Sequence, residues 1–421
     1  MIHEKDQLTP WVKMSLDNHH LENYRVELAT PGDCDELLGL YYSIYGDDYP
    51  LEIGTNRRVM FKALQNNQFY YWPVMKDIAR NIIIGSVIVE IDPDLKIGKV
   101  TGAVVHNSYR NQGIAQKLIK IGVDKVLYEK KLVNSLYATT RTESVAPQKM
   151  LIQNGFSPLG IFPNARKIKT YETLTLMGIF SDGVLSRRIK TKKVPFFLRD
   201  ILTTTNFSIQ DHIEFEYEPL TTFQKEENLP IEEFEFIEAP LFVEKRFEIV
   251  FKNDLESQFY PFHRPNLLIA GTKSDLEIYA SFSKKDHYCV LITSNKSLIE
   301  FKNSFKSLIF SMKEVGIYYV ETLVRLDNFE TISFLYRNKF IPSAVYPAMR
   351  EEEGKMHDYI LLTRTMVPLD FSELNVESCF WPYVEQYTKL WLGMNLKALK
   401  ETNPSSKNPK EQSLIDGFYG K

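Results

Sequence analysis

A chain of 421 residues exceeds the ~100–200 residues of a typical single domain, and 44% hydrophobic with 25% charged residues is the composition of a soluble globular protein with material for two cores. Lys+Arg of 51 against Asp+Glu of 54 leaves a formal charge of −3, which excludes the overall basic footprint of a nucleic-acid binder. Three widely spaced cysteines (Cys34, Cys289, Cys379) lack zinc or disulfide spacing, and neither a basic-then-apolar leader nor a run of ~20 apolar residues occurs, so a metal-free cytoplasmic protein with no membrane partner is expected.

Residues 1 to 23 carry no clear period. Tyr24 to Ala29 alternates as a first strand. Thr30-Pro31-Gly32-Asp33 then opens a helix with a hydroxyl cap, an early proline and an early acid, and Leu37, Leu38, Leu40 and Tyr41 supply its apolar side. The stretch Tyr41 to Pro50 is rich in tyrosine and holds Asp47 and Asp48. A helix near Asn56 to Leu64 leads to strands over Phe69 to Met75 and Ile82 to Ile91. Asp92-Pro93-Asp94 makes the turn into a strand over Gly98 to Val105.

That strand runs into Val104-Val105-His106-Asn107-Ser108-Tyr109-Arg110-Asn111-Gln112-Gly113-Ile114-Ala115 and a helical run from Gln116 to Lys131. A strand ending in a polar turn that opens a helix aims several backbone N–H groups at one spot, and that spot suits an anion. Ile114, Ala115, Leu118, Ile119, Gly122, Val123, Val126 and Leu127 share one helical face. Gly113 lets the backbone approach a bulky diphosphate, and Ala115 keeps the next contact small. No Lys-Ser/Thr pair follows the glycine and no three spaced glycines occur, which excludes a P-loop and a dinucleotide fold.

These residues resemble the GNAT superfamily of N-acetyltransferases, whose acetyl-CoA loop reads Arg/Gln-x-x-Gly-x-Gly/Ala. Arg110, Gly113 and Ala115 match it, and Val105-His106-Asn107 stands where the family often has Val-His-Pro. The resemblance continues through a strand at Asn134 to Arg141, a short helix at Val145 to Gln153, Asn154-Gly155-Phe156, and a closing strand from Tyr171 to Met177, covering about residues 24 to 180. It implies a mixed-sheet α/β fold with acetyl-CoA as co-substrate. The diphosphate would lie on the amides of Arg110, Asn111, Gln112, Gly113, Ile114 and Ala115, and the pantetheine arm along the backbone of Val104 and Val105. It also places the tyrosine-rich stretch in the acceptor cleft; the residues alone equally suit a surface loop whose tyrosines pack locally.

Residues 181 to 245 read as a connection between domains, with some structure near Val194 to Leu202. Its basic run, Ser186 to Lys193, reads as a solvated face or as a partner for the coenzyme's 3′-phosphate. Beyond it the chain repeats itself: Arg141 to Pro158 lies without gaps on Arg325 to Pro342, and the register continues to Arg166 and Arg350. Strands at Leu267 to Ala270, Asp275 to Phe282 and Tyr288 to Thr293, and a helix over Ser297 to Val315, precede the second copy. The turn Ser294-Asn295-Lys296-Ser297 has no Gly-x-Gly/Ala. The expectation is therefore two tandem GNAT-like acyl-CoA N-acyltransferase domains, 1–180 and 246–421, joined by 181–245, the second without a coenzyme site. Pro382 to Ala398 reads as an amphipathic capping helix and Glu401 to Lys421 as a polar tail.

Acetyl transfer needs a polarised thioester, a neutral amine and a proton for the leaving thiolate. Glu90, Asp92 and His106 are candidates to receive the amine proton. The tyrosine that many GNAT enzymes carry five residues before the Phe of Gly-Phe is Leu151 here, leaving Tyr137, Tyr171 or water as the acid; the asparagine often found near the start of that helix is Ser144, the remaining candidate coenzyme contact. The expected activity is acetyl transfer from acetyl-CoA to a primary amine of a small, polar, cationic molecule. The alternatives are a non-catalytic acyl-CoA-binding or protein-interaction module and, more distantly, an aminoacyl-transferring relative of the tandem fold.

Overall fold

The computed structural model describes residues 23–46, 49, 51–167, 170–190, 193–220, 232–254 and 256–402. The expected N-terminal arm, Asp47, Asp48, Pro50 and the tail beyond 402 lie outside them. Contacts divide the chain into two compact units, Met1–Glu90 with Val100–Lys125, and Ile91–Lys99 with Val126–Lys421. No described helix is long and apolar enough to cross a membrane.

The first unit begins with β1 (Tyr24–Leu28). Thr30 and Asp33 close a capping box over a 3₁₀ turn, the Asp33 carboxylate accepting from the Thr30 N–H at 2.8 Å and hydroxyl at 2.7 Å, and the turn feeds α1 (Cys34–Tyr45). Asn56 caps α2 (Arg57–Leu64), accepting from the amides of Arg58 and Val59. Then come β2 (Tyr70–Tyr71), β3 (Pro73–Asp77), β4 (Ile82–Asp92) and β5 (Ile97–Val105), in the sheet order β1-β3-β4-β5 with β2 also on β4. Leu37, Tyr41 and Met60 of the helices share a core with Val74, Ile88 and Val104 of the strands and with Trp72 between β2 and β3. The helix after the loop, α3 (Ile114–Val123), stops short of the expected Lys131, passing into a π-helical segment at Asp124–Glu129. The apolar face read from the sequence is buried at Ile114, Leu118, Ile119, Val123, Val126 and Leu127.

The second unit holds β6 (Ser135–Arg141), α4 (Ala146–Gln153), β7 (Ser157–Lys167) and β8 (Tyr171–Phe180). The connection that follows contains β9 (Lys193–Pro195), α5 (Arg199–Ser208), β10 (Glu216–Glu218), β11 (Phe234–Ile237) and α6 (Pro240–Val250). After it come β12 (Leu267–Gly271), β13 (Glu277–Ser283), β14 (Tyr288–Ser294), α7 (Phe305–Glu314), β15 (Tyr319–Arg325), α8 (Phe329–Arg337), β16 (Ile341–Glu352), β17 (Lys355–Thr365) and α9 (Trp381–Thr402). The expected helix start at Ser297 is corrected to Phe305. The intervening amides are taken up by turns, with Glu300 bonded to Ser297, Lys302 to Ile299 and Ser304 to Phe301.

The sequence repeat is also a repeat of strand pairing. β6 lies parallel to Ile97–Lys99 of β5 and antiparallel to β8, which is antiparallel to β7. β15 lies parallel to β14 and antiparallel to β17, which is antiparallel to β16. β7 slips register between Pro158 and Gly160 and between Phe162 and Arg166; β16 slips between Pro342 and Ala344 and between Tyr346 and Arg350, at corresponding positions of the repeat. Inside the second bulge of each copy sits a left-handed residue, Asn164 with φ 60° and Ala348 with φ 47°. The copies join where Gly160 pairs antiparallel with Ala344, its own counterpart, which is the relation a local two-fold requires. A Cβ on Gly160 would overlap the Ala344 backbone and the Ser343 carbonyl. One core then runs through both copies, with Tyr137, Leu159, Phe162 and Leu176 alongside Tyr319, Ala344, Tyr359 and Leu361.

The basic run is not a solvated face throughout. Arg188 is buried, donates from Nε and NH2 to the equally buried Asp358 at 2.8 and 2.6 Å, and reaches Asp211 at 2.7 Å. Arg187 pairs with Glu351 at 2.7 Å. These bonds tie the connection to β17 and β16. Arg188→Met should destabilise the protein by about 3–5 kcal/mol in urea unfolding, because it strands the Asp358 carboxylate in the core; a loss below about 1 kcal/mol would show that water already serves that carboxylate.

A second buried carboxylate, Glu321 of β15, accepts hydroxyl bonds from Tyr288 at 2.7 Å, Tyr319 at 2.9 Å and Tyr260 at 3.2 Å. Burial pushes its pKa up to about 7, against the opposing effect of the three donors. A carboxyl with a raised folded-state pKa is protonated more in the folded than in the unfolded chain. Its ionisation therefore erodes stability as pH rises from about 4.5 through about 7. Glu321→Gln should remove that slope, so the variant gains on the parent between pH 5 and pH 8 by an amount on the order of 3 kcal/mol at most. Parallel melting curves at the two pH values would refute the assignment.

Candidate functional site

In the first unit, β5 ends with Val104 buried and Val105 half-buried. The His106 N–H donates to Ile84 O of β4 at 2.9 Å, and residues Asn107–Tyr109 coil into a 3₁₀ turn. Arg110 is extended with ψ 160°, Asn111 is left-handed with φ 63°, and Gly113 is left-handed with φ 73° at the N-cap of α3. Left-handed residues set into such a turn rotate consecutive N–H groups toward one side, as in an anion nest. Gly113 supplies no capping side chain, so the first amides of α3, at Ile114 and Ala115, keep their donors for something else. A Cβ on Gly113 would meet no protein atom within 4 Å. Its glycine therefore serves the left-handed backbone and the open space above it rather than internal packing.

What holds this turn was not read from the sequence. The buried Tyr109 donates its hydroxyl to Asp77 Oδ2 at 2.8 Å and accepts from Arg80 NH1 at 2.7 Å, while Asp77 Oδ1 accepts from the amides of Ala79 and Arg80 at 2.9 and 3.1 Å. The Tyr109 hydrogen bond, followed by the Arg80 amide, holds the Asp77 carboxyl below its usual range, and burial pushes the Tyr109 hydroxyl up. Tyr24 packs edge-on against Tyr109 and donates to Gln112 Oε1 at 2.9 Å. Arg110, Asn111 and Gln112 are exposed on the turn, and Ile114 is its buried anchor. A tyrosine in a loop motif carries no sign of its partner 32 residues upstream.

Each candidate for proton transfer has a definite setting. Glu90 of β4 is half-buried opposite Tyr70. His106 spends Nδ1 as acceptor for the Ser108 N–H at 3.3 Å, which leaves Nε2 to carry the proton of the neutral ring. Asp92 is occupied in the β4–β5 turn, accepting from the amides of Asp94 and Leu95 at 3.1 and 2.9 Å. Tyr41 does not line a cleft: it is fully buried, its hydroxyl donating to Gly102 O at 2.6 Å, and Tyr49 packs between it and Tyr45 at centroid distances of 4.9 and 4.8 Å. In the second unit, Tyr137 is buried with its hydroxyl on Pro347 O at 3.2 Å, and burial raises its pKa. Tyr171 is half-buried and its hydroxyl is raised by the same cause. Ser144, just ahead of α4, accepts from the Ala146 N–H at 3.2 Å, and Leu151 is buried in that helix. The parallel pairing of β5 with β6 ends at Lys99 opposite Tyr137. Among the described residues, no group of three His, Cys, Asp or Glu is arranged to hold a metal.

Tyr109→Phe should lower stability by about 1–3 kcal/mol and speed amide hydrogen exchange across residues 106–113 by roughly tenfold or more, since Asp77 loses a charge-assisted donor. Unchanged exchange would mean that the backbone alone holds the turn.

Residues 35–156 match the family model described as the acetyltransferase (GNAT) family. Among solved structures, the ribosomal-protein-S5-alanine acetyltransferase from Vibrio fischeri is 18% identical, over 38% of this chain and 95% of that one, with a TM-score of 0.34. A GNAT-family acetyltransferase from Streptococcus pneumoniae is 18% identical over 37% and 99%, with a TM-score of 0.33. A variant of spermidine N-acetyltransferase SpeG from Vibrio cholerae is 18% identical over 38% and 94%, with a TM-score of 0.33. No curated protein sequence matches. The strand, turn and helix of the Arg110–Ala115 motif all fall inside the family match, and the chain thus carries an acetyltransferase domain of the GNAT family at residues 35–156.

Proposed function

We propose that this chain transfers an acetyl group from acetyl-CoA to the primary amine of a small molecule. The observation that carries the reading is the Gly113 turn: a left-handed, uncapped helix start with open space above it, anchored from below by Tyr109 and Asp77. The diphosphate would sit on the amides of residues 110–115, and the pantetheine arm along the Val104–Val105 backbone. Ser144 remains the candidate for a further coenzyme contact.

For the chemistry, Glu90 is the favoured base. The Nδ1 engagement of His106 makes its Nε2 a proton donor rather than an acceptor. The tetrahedral intermediate forms when the neutral amine attacks the thioester carbonyl; the amine proton passes to the base, and the departing thiolate takes its proton from Tyr137, Tyr171 or water, since Leu151 has none to give. Tyr41 is buried, Asp92 Oδ1 serves its own turn, and Asp47 and Asp48 lie outside the described residues, so Glu90, opposite Tyr70, is the carboxylate on which the proposal of a cationic acceptor rests. The protein is expected to act in the cytoplasm, where acetyl-CoA is available.

The strands from Leu267 to Thr365 are proposed to be a second GNAT-like domain that binds no coenzyme. Their counterpart of the loop uses its amides internally: Ser297 N–H bonds Glu300 Oε1 at 3.1 Å, Ile299 N–H bonds Ser297 Oγ at 3.3 Å, and the Glu300 and Ser304 amides close turns. An acid in the middle of that turn also repels a phosphate.

Calorimetry with acetyl-CoA should give one site per chain. Gly113→Asn, which tolerates the left-handed conformation but places a side chain over the turn, should weaken binding at least about tenfold with little change in melting temperature. Equal affinity would show that the coenzyme does not lie there. Thiol release from acetyl-CoA across a panel of polyamines, amino sugars and amino acids separates an enzyme from a non-catalytic acyl-CoA binder; release with none of them, despite binding, would favour the latter.

A further inference from the structure

The second unit contains a cavity of about 300 Å³ between the end of β17 and α9, lined by Lys339, Arg364, Met366, Trp391 and Met394. Its volume is that of a small-molecule site. Two cations line it and no acid does. Among the described residues, Arg364 makes one hydrogen bond, from NH1 to Asn338 O at 2.5 Å, and neither Arg364 nor Lys339 forms an ion pair. Burial pushes the Arg364 pKa down to about 10, so the guanidinium still carries its charge at neutral pH without a counter-charge.

The internal repeat shows that these cations are not required by the fold. The left-handed residue after α4 is Gly155 with φ 87°; the corresponding residue after α8 is Lys339, with φ 66°, where a side chain strains the backbone. Leu136 pairs with Ile179 in the first copy, whereas its counterpart Val320 pairs with Arg364. A glycine and an isoleucine in one copy are thus a lysine and an arginine in the other, both facing one cavity. Arg364 thus carries its charge in a partly buried position without a paired carboxylate, and the exposed Lys339 places a second cation beside it on the same cavity.

We propose that this cavity binds a small organic carboxylate with an apolar body. The Nε and NH2 edge of Arg364, opposite the nitrogen already given to Asn338, presents the fork that a carboxylate accepts, and the Lys339 ammonium adds a second donor. Trp391, Met366 and Met394 offer the apolar and polarisable wall for the rest of the molecule. The site lies wholly within the second unit and is independent of the acetyl-CoA reading.

Octanoate is a suitable probe, with 1-octanol as the uncharged body and inorganic phosphate as the bare anion. Calorimetry on the full chain should show octanoate binding at least about tenfold tighter than either control. Arg364→Met should cost at least about tenfold in octanoate affinity, and Lys339→Gly severalfold. Lys339→Gly restores the residue of the first copy and should not lower the melting temperature, which separates lost binding from lost folding. Octanol binding as tightly as octanoate, octanoate affinity unchanged in both variants, or no octanoate binding up to about 10 mM would each overturn the proposal.

Discussion

At the junction of β7 and β16 the Gly160 backbone lies directly against that of Ala344, with no room for even a methyl group between them. This contact decides the organisation of the second unit. Side chains flanking the junction cannot form two separate cores, because Leu159 and Ile161 on one strand and Ala344 and Val345 on the other are all fully buried together. The connecting segment joins the sheet at its far end, where β11 pairs antiparallel with β12, and its earlier part is fastened by side chains. That part is held by Arg188, whose ion pair with Asp358 places the charge where desolvation would otherwise be prohibitive. The compact unit takes in both copies, as Ile91–Lys99 together with Val126–Lys421.

Within that shared frame the two copies differ mainly in where they put polar groups. Tyr137, which donates to Pro347 O, has Glu321 as its counterpart, and the carboxylate gathers three tyrosines around it. The bulge residue Asn164 uses its side chain to fasten Pro368 and Asp370, at 2.8 and 2.9 Å; Ala348 at the same place has no such group, and its N–H goes to Asp358 instead. Each exchange keeps the backbone path and changes only the partner of a buried donor or acceptor. Hydrogen-bond satisfaction constrains such positions more tightly than shape does, because an orphaned polar group costs about 1–3 kcal/mol.

Much of the fold was legible because it is written in local signals. The capping box at Thr30 and Asp33, the apolar stripe from Ile114 to Leu127, and the gapless match of Arg141–Pro158 with Arg325–Pro342 each depend on residues close in sequence or on a fixed register. The groups that escaped sequence reading are those whose partners are distant. Tyr109 finds Asp77, Arg188 finds Asp358, and Glu321 is reached by tyrosines from three different segments. The tyrosine-rich stretch was ambiguous for the same reason: the helical period places Tyr41 on an apolar side, but does not show that its hydroxyl reaches the Gly102 carbonyl, 61 residues away. In the candidate site, the motif showed which backbone turns and where. It did not show that His106 would commit Nδ1 to its own turn, since that depends on a ring orientation no spacing encodes.

The two turns at corresponding places in the chain differ in where their amide protons go. Between β5 and α3, the left-handed Asn111 and Gly113 leave a helix start without a side-chain cap, and the turn is kept rigid by Tyr109 on its protein side. Between β14 and α7, Ser297, Ile299, Glu300, Lys302 and Ser304 all donate into the turn itself. The second arrangement spends its donors within the turn; in the proposed reading the first offers its donors to an anion. Rigidity matters as much as vacancy, because donors fixed in advance lose little entropy when the ligand arrives. In the second unit the proposed carboxylate site lies away from that turn, at Lys339 and Arg364, where the donors are side chains instead of amides.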